Sequence, residues 1–285
     1  MKLNNDLVSC DECLHGTFLT FNTDNSVGES MRRYGEWAEA EVRLFSRLIR
    51  KGDIVLEAGA NIGAHTVPLA RLVGQTGCFH AFEPFGPNHQ LLCSNLLFNN
   101  CNNVRTYQAA LGARQGIVQF PDLDPAQSNN FGGIGHYLST TSKSICPELT
   151  IDAMPFVRLD FLKIDVEGYE PEVIMGARET IARHRPILFV ETLNHHALSL
   201  AQDGHTQWLI KTLAPLGYRF WHYITPLFND LNARGDGENI FPGLWSFDLI
   251  CIPQERGRMQ GLPDAETEPM YCDDPHQWWR AQFTV

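Results

Sequence analysis

The chain lacks any run of about 18 uninterrupted apolar residues, the length a membrane-crossing helix requires, so no transmembrane segment is expected. Its first residues, MKLNNDLVSCDECLHG, have neither the basic start nor the apolar core of a secretory signal, and a cytoplasmic protein is expected. Basic residues are scarce: 22 lysines and arginines stand against 33 aspartates and glutamates, a net charge of −11. Binding to nucleic acid relies on cations that displace counterions from phosphates, so neither a nucleic-acid nor a membrane partner is expected. The eight cysteines have no dense or regular spacing, which in a cytosolic chain argues for reduced thiols. Cys10 and Cys13 form a lone CxxC with His15 behind them, and no second pair completes a four-ligand zinc site. Internal repeats and low-complexity tracts are also missing.

What is present is an alternation. Short apolar runs predict strands at DIVLEAG, CFHAFEP, VRTYQAAL, FLKIDVE and PILFVE, most of them of the kind buried on both faces. Between them, helical patterns fall at about 63–73, 87–99, 170–182 and 203–215. The third has Val173, Ile174, Ala177 and Ile181 in one stripe, Pro171 near its first position, and Glu170 and Glu172 where the helix dipole favours acids. Such alternation implies a parallel sheet with helices on both sides. YRFWHYITPLF and SFDLICIP read as an antiparallel pair closing the sheet edge. Residues 1–30 read as a polar, irregular arm; EWAEAEVRLFSRLIRKGD reads as a helix stopped by Gly52. Residues 121–150 read as a long loop rich in turn formers, and 257–285 as a surface tail that docks through Trp278, Trp279 and Phe283. The expected organisation is an N-terminal arm and helix over 1–50, a catalytic domain over 51–256 with the insert 121–150, and a C-terminal tail over 257–285.

The stretch DIVLEAGANIGAHT, residues 53–66, is a strand, a tight turn and a helix start. Gly59 and Gly63 remove side chains that would keep a ligand from the backbone, and Asn61 between them tolerates positive φ. A helix opening near Gly63 presents unpaired amides to a phosphate or a carboxylate. The dinucleotide fingerprint needs a glycine where Asn61 stands, which weakens that reading without removing it. Glu83, closing the second strand, is placed to accept both hydroxyls of a ribose. A turn without the middle glycine beside a ribose-binding acid suits S-adenosylmethionine, its carboxylate on the turn and its ribose on Glu83.

VLEAGANIGAHT, FHAFEP, LDFLKIDVEGYEPEVIMGA and PILFVE, in this order, resemble the FkbM-type S-adenosylmethionine-dependent methyltransferases over roughly residues 50–195. The resemblance implies the class I methyltransferase fold, a Rossmann-like seven-stranded α/β sheet with one antiparallel strand. It implies methyl transfer to oxygens of sugars or polyketides, or to amide nitrogens of peptides, in natural-product biosynthesis or glycan modification. By position it implies Glu57, Gly59, Ala60, Asn61, Gly63 and Thr66 around the methionine end and Glu83 with Pro84 at the ribose. Phe85 and Ala109 fall at the adenine, and Asp165 and Glu167 face the transferring methyl.

Methyl transfer needs an aimed nucleophile and a base, worth roughly 10²–10⁴ in rate. A carboxylate touching the sulfonium stabilises the reactant more than the transition state, so the useful acid contacts the acceptor. The candidates are Asp165, Glu167, Glu191, His136, His195 and His196, with Glu167, Asp165 and His136 leading. Asp165 and Glu167, two apart, are expected to share one face of the fourth strand. No metal is expected, since no DxD or DD lies beside that strand. The rival readings are an NAD-dependent oxidoreductase on the same architecture and a cofactor-binding module without catalysis. The acceptor and the choice between monomer and homo-oligomer stay open.

Overall fold

A computed structural model of the chain describes residues 6–135, 143–192, 204–267 and 282–284. Its frame is a seven-stranded sheet in the order β5 (Val104–Tyr107), β4 (Cys78–Phe82), β3 (Ile54–Ala58), β9 (Phe161–Ile164), β10 (Ile187–Glu191), β12 (Trp245–Pro253), β11 (Tyr218–Pro226). β12 runs antiparallel to both of its partners, and all other pairings are parallel. This is the sheet the alternation implied, with the closing strand inserted between β10 and β11.

The apolar runs lie in the middle of the sheet because both faces are covered. Along β3, Val55 joins one core and Leu56 the other; Phe161 and Leu162 split in the same way on β9, as do Phe189 and Leu188 on β10. Helices α2 (Glu39–Leu48), α3 (Thr66–Val73) and α4 (Gly86–Phe98) contribute to the first core. Helices α5 (Glu170–Met175), α6 (Arg178–His184) and α7 (Gly204–Leu213) contribute to the second. The chain moves outward from β3 to β4 and β5, then returns to the other side of β3 as β9. That reversal opens a crevice at the carboxyl ends of β3 and β9, the position where such sheets bind ligands. Among the described residues no helix is long and apolar enough to cross a membrane.

Several expected boundaries move. The segment read as an irregular arm is a hairpin, β1 (Val8–Cys13) with β2 (Gly16–Phe21), followed by α1 (Val27–Tyr34). Its second strand is held by side chains some 80 residues away: Thr17 and Leu19 donate their amides to Asn99, just past the end of α4, and to Asn95 of α4. The long insert carries strands at both of its ends. β7 (Gly116–Pro121) pairs antiparallel with β8 (Lys143–Leu149), and the short β6 (Ala110–Leu111) adds to β8. VRTYQAAL is therefore two strands belonging to two sheets. The helix expected over 170–182 breaks at Gly176, where an added Cβ would lie 1.9 Å from the Gly112 carbonyl oxygen. Asp152 then caps α6 by accepting the Glu179 and Thr180 amides. Helix α2 ends at Leu48, short of Gly52. In the tail, β13 (Arg258–Gln260) pairs with β14 (Gln282–Thr284), and Phe283 packs on the first core; Trp278 and Trp279 lie outside the described residues.

Candidate functional site

The crevice holds two joined chambers, both bounded by Gly59, Glu83, Gly132, Asp165 and Glu167. One is apolar, walled by Phe82, Pro84, Ala109, Val118, Phe131 and Ile134. The other, about 490 Å³, falls within the size of small-molecule sites and carries the charged groups.

The turn between β3 and α3 is built by backbone approach. Gly59 has φ +86°, and a Cβ there would lie 1.8 Å from the Asp165 carbonyl oxygen, so only glycine fits between the two strand ends. Asn61 has φ +50°, the left-handed geometry asparagine accepts. Several amides of the turn, however, are used inside the protein. Gly59 and Ala60 both donate to Phe82 O, Gly63 donates to Ala60 O, and α3 begins at Thr66 rather than near Gly63. The helical bonding nonetheless opens at Gly63, whose carbonyl accepts the Val67 amide at 3.0 Å.

Glu83 is pinned from two sides. Its Oε2 accepts the Asn61 amide at 2.8 Å and its Oε1 accepts the Phe85 amide at 2.9 Å. Each oxygen keeps a second lone pair, and the carboxylate borders both chambers. Burial pushes it up to about 7, against the pull of those two amides. Glu57, 1% exposed, accepts from Thr66 Oγ1 at 2.6 Å and sits 3.9 Å from Lys163 Nζ. Its carboxyl is raised by burial, with Lys163 and Thr66 opposing.

Lys163, itself 1% exposed, is the residue the sequence reading missed. It faces Glu57 in the β3–β9 register, and its Nζ reaches Asp165 Oδ2 at 2.7 Å. Burial alone would raise Asp165, yet Lys163 and a hydrogen bond from Glu191 hold it below the usual carboxylate range. Burial would likewise lower Lys163, and Asp165, Glu57 and Glu41 push it up instead. The signal was a charged residue in the centre of the apolar run FLKI, a position that demands a buried partner.

Asp165 and Glu167 do not share a strand face, because β9 ends at Ile164 and Glu167 has φ +54°. They nonetheless meet in the cleft. Asp165, Glu167 and Glu191 bring one carboxylate oxygen each within 4.8 Å of one another. Glu191 is held well above its ordinary range by burial first, then by Glu167 and Asp165.

Of the other expected residues, Ala60 and Asn61 line the charged chamber, and Pro84 and Ala109 the apolar one. Thr66 stands behind Glu57 and Gly63 behind the turn, against Leu92. Phe85 is not on the wall: it is 1% exposed and stacked behind Phe131, ring centroids 6.0 Å apart. Phe131, from the insert, takes the wall position. His136, His195 and His196 lie outside the described residues. Trp37, Glu41, His65 and Phe241 also line the charged chamber and were not anticipated, since each comes from an element far from the motif blocks or from an ordinary helix start.

The chain is similar to several known proteins. Methyltransferase sdnD of Sordaria araneosa is 29% identical over 158 residues, 44% of this chain and 60% of that protein. The chain thus spans less than two thirds of that relative's length. Among solved structures, Methyltransferase FkbM from Methylobacillus flagellatus KT is 16% identical, with a TM-score of 0.45 over 73% of this chain and 47% of that one. M. jannaschii TYW2, solved in complex with AdoMet, is 13% identical, with a TM-score of 0.45 over 87% of this chain and 86% of that one. The description "Methyltransferase FkbM domain" matches residues 57–220, more than half of the chain, from the end of β3 to the start of β11, and the protein belongs to that family.

Proposed function

We propose that the protein transfers a methyl group from S-adenosylmethionine to an oxygen or amide nitrogen of a small molecule, sugar, polyketide or peptide. The observation that carries this reading is Glu83, a buried carboxylate fixed by the Asn61 and Phe85 amides at the junction of an apolar and a charged chamber.

The residues present fit the cofactor. Glu83 retains lone pairs for a ribose diol, and the apolar chamber beside it has the lining an adenine needs. Gly59, which tolerates no Cβ, leaves the backbone bare at the mouth of the charged chamber. S-adenosylmethionine, when bound, supplies an electrophilic methyl carbon on a sulfonium. The chain's own task is to orient the acceptor and take its proton. Glu167 and Asp165 serve that purpose: they stand at the junction of the chambers, and the Lys163 ammonium keeps Asp165 ionised. Glu191 donates a hydrogen bond to Asp165 and fixes its orientation. The Lys163 ammonium on Asp165 Oδ2 already supplies positive charge beside this trio, which supports proton transfer over metal binding.

Calorimetric titration with S-adenosylmethionine and with NAD tests the reading. Binding of the first is expected; binding of NAD alone points to an oxidoreductase. Mass spectrometry for a gain of one CH₂ across candidate acceptors tests transfer, and binding without any product leaves a non-catalytic module. A cytoplasmic role in natural-product or glycan modification is part of the same proposal.

A further inference from the structure

Glu41, on α2, and His65, at the start of α3, are 5% and 6% exposed, and both line the charged chamber. His65 Nε2 lies 3.7 Å from Glu41 Oε2 and has no hydrogen-bond partner. The ring bonds the Ala38 backbone. Because a carbonyl only accepts, and Nε2 is unpartnered, Nδ1 carries the proton and Nε2 is a bare lone pair. The same Ala38 carbonyl accepts the Glu41 amide at 2.9 Å, so one group fixes both residues. Burial holds His65 in the neutral form, down to about 3, so the ring is no cationic partner for Glu41.

His65 Nε2 is therefore a buried acceptor with no donor, an arrangement costly to leave unsatisfied, and it faces a Glu41 carboxyl that bonds Ser246 and that burial raises to about 7. A neutral donor would leave the Glu41 carboxyl raised as it is, whereas a cation beside it would draw off its proton and compensate the charge. A metal would find two protein ligands, short of the three or four a protein-held zinc takes. Among the described residues, the group of three metal-capable side chains lies instead at Asp165, Glu167 and Glu191. A nitrogen bearing both positive charge and several hydrogens meets the need. Acceptors 3.7 Å apart can both lie at about 2.8–3.0 Å from one nitrogen. Trp37 and Phe241, packed edge to face with centroids 6.0 Å apart, line the same chamber and offer aromatic surface to a cation.

We propose that Glu41 and His65 form a subsite for a protonated primary amine, an inference that rests on the methyl-transfer reading. The amine is either the amino-acid end of the cofactor or a group on the acceptor, and the test separates them. Wild type and Glu41→Gln are titrated with S-adenosylhomocysteine, with 5′-methylthioadenosine, which lacks the amino-acid end, and with glucosamine and N-acetylglucosamine in the presence of S-adenosylhomocysteine. Loss of a charge-assisted contact is expected to weaken the amine-bearing probe by roughly tenfold to a hundredfold. A loss confined to S-adenosylhomocysteine, with 5′-methylthioadenosine within about twofold, assigns the subsite to the cofactor. Unchanged nucleosides, with glucosamine bound by wild type and lost in the variant while N-acetylglucosamine never binds, assign it to the acceptor. Equal affinities in wild type and Glu41→Gln for every probe overturn the proposal. His65→Phe, which removes the lone pair and keeps the ring volume, should weaken the same probe and serves if Glu41→Gln fails to fold. Wild type that binds neither nucleoside strikes the methyl-transfer reading instead, and the subsite is then judged on glucosamine alone.

Discussion

Lys163 Nζ lies 2.7 Å from Asp165 Oδ2, and the two residues are linked across the end of β9 rather than along it. The same ammonium faces buried Glu57, so one lysine compensates a carboxylate on β3 and another just past the end of β9. Lys163→Met removes the cation and leaves Glu57 charged in the core. A loss of about 3 kcal/mol is expected from breaking a buried pair on one side. The loss should shrink at pH 5, where Glu57 takes up a proton more readily. Urea denaturation at pH 5 and pH 8 checks both statements; equal losses at the two values contradict them.

Glu83→Ala should weaken S-adenosylmethionine and S-adenosylhomocysteine alike. The carboxylate makes its proposed contacts with the ribose, which both share. A loss of roughly 1.5–3 kcal/mol for a hydrogen bond to a charged group corresponds to about tenfold to a hundredfold in Kd. Calorimetry reads the result, and unchanged affinity removes Glu83 from the ribose.

The unliganded protein should lose stability as pH rises from 6.5 to 8.5. Glu41, Glu83 and Glu170 have ordinary values of 4.5 and are each raised to about 7 in the folded state, chiefly by burial. A carboxyl raised on folding binds its proton more tightly in the native protein, so its contribution is complete below 4.5 and is lost as pH climbs through 7. The buried histidines His65 and His80, lowered to about 3 and about 4, act in the opposite sense, but only below 6.5. Above that value they are neutral in both states and drop out. Thermal midpoints at the two pH values give the sign, and Glu83→Gln, which fixes the neutral form, should flatten the slope. A midpoint that rises across this interval contradicts the assignment.

The sheet was legible because its strands are buried on both faces and its turn depends on glycine; Gly59 and Asn61 adopt the backbone their residue types foretell. The hairpin β1–β2 was not, because the side chains of Asn95 and Asn99, at the end of α4, satisfy its free edge and leave no local pattern. The wall residue Phe131 and the break at Gly176 were missed for a related reason. Each is decided by a contact with a distant segment, the cleft in one case and the Gly112 carbonyl in the other. Lys163, in contrast, was visible as a charge amid apolar residues; what the pattern withheld was its pairing with both Glu57 and Asp165.

Glu167→Gln should lower turnover and spare the cofactor. Its φ of +54° carries the side chain off the β9 line and into the junction of the two chambers, where the proposed reaction releases the acceptor proton. Glutamine keeps the volume and loses the basic oxygen, so a fall of roughly 10²–10⁴ in kcat is expected. The Kd for S-adenosylhomocysteine should stay within about twofold, since an interaction made only in the transition state affects rate without ground-state binding. Glu191→Gln provides the contrast. Glutamine at that position can still donate a hydrogen bond to Asp165, as the protonated carboxyl does, so its kcat should fall far less. Comparable losses in the two variants would move the base role from Glu167 to Glu191, and full activity in both would remove the carboxylate trio from proton transfer.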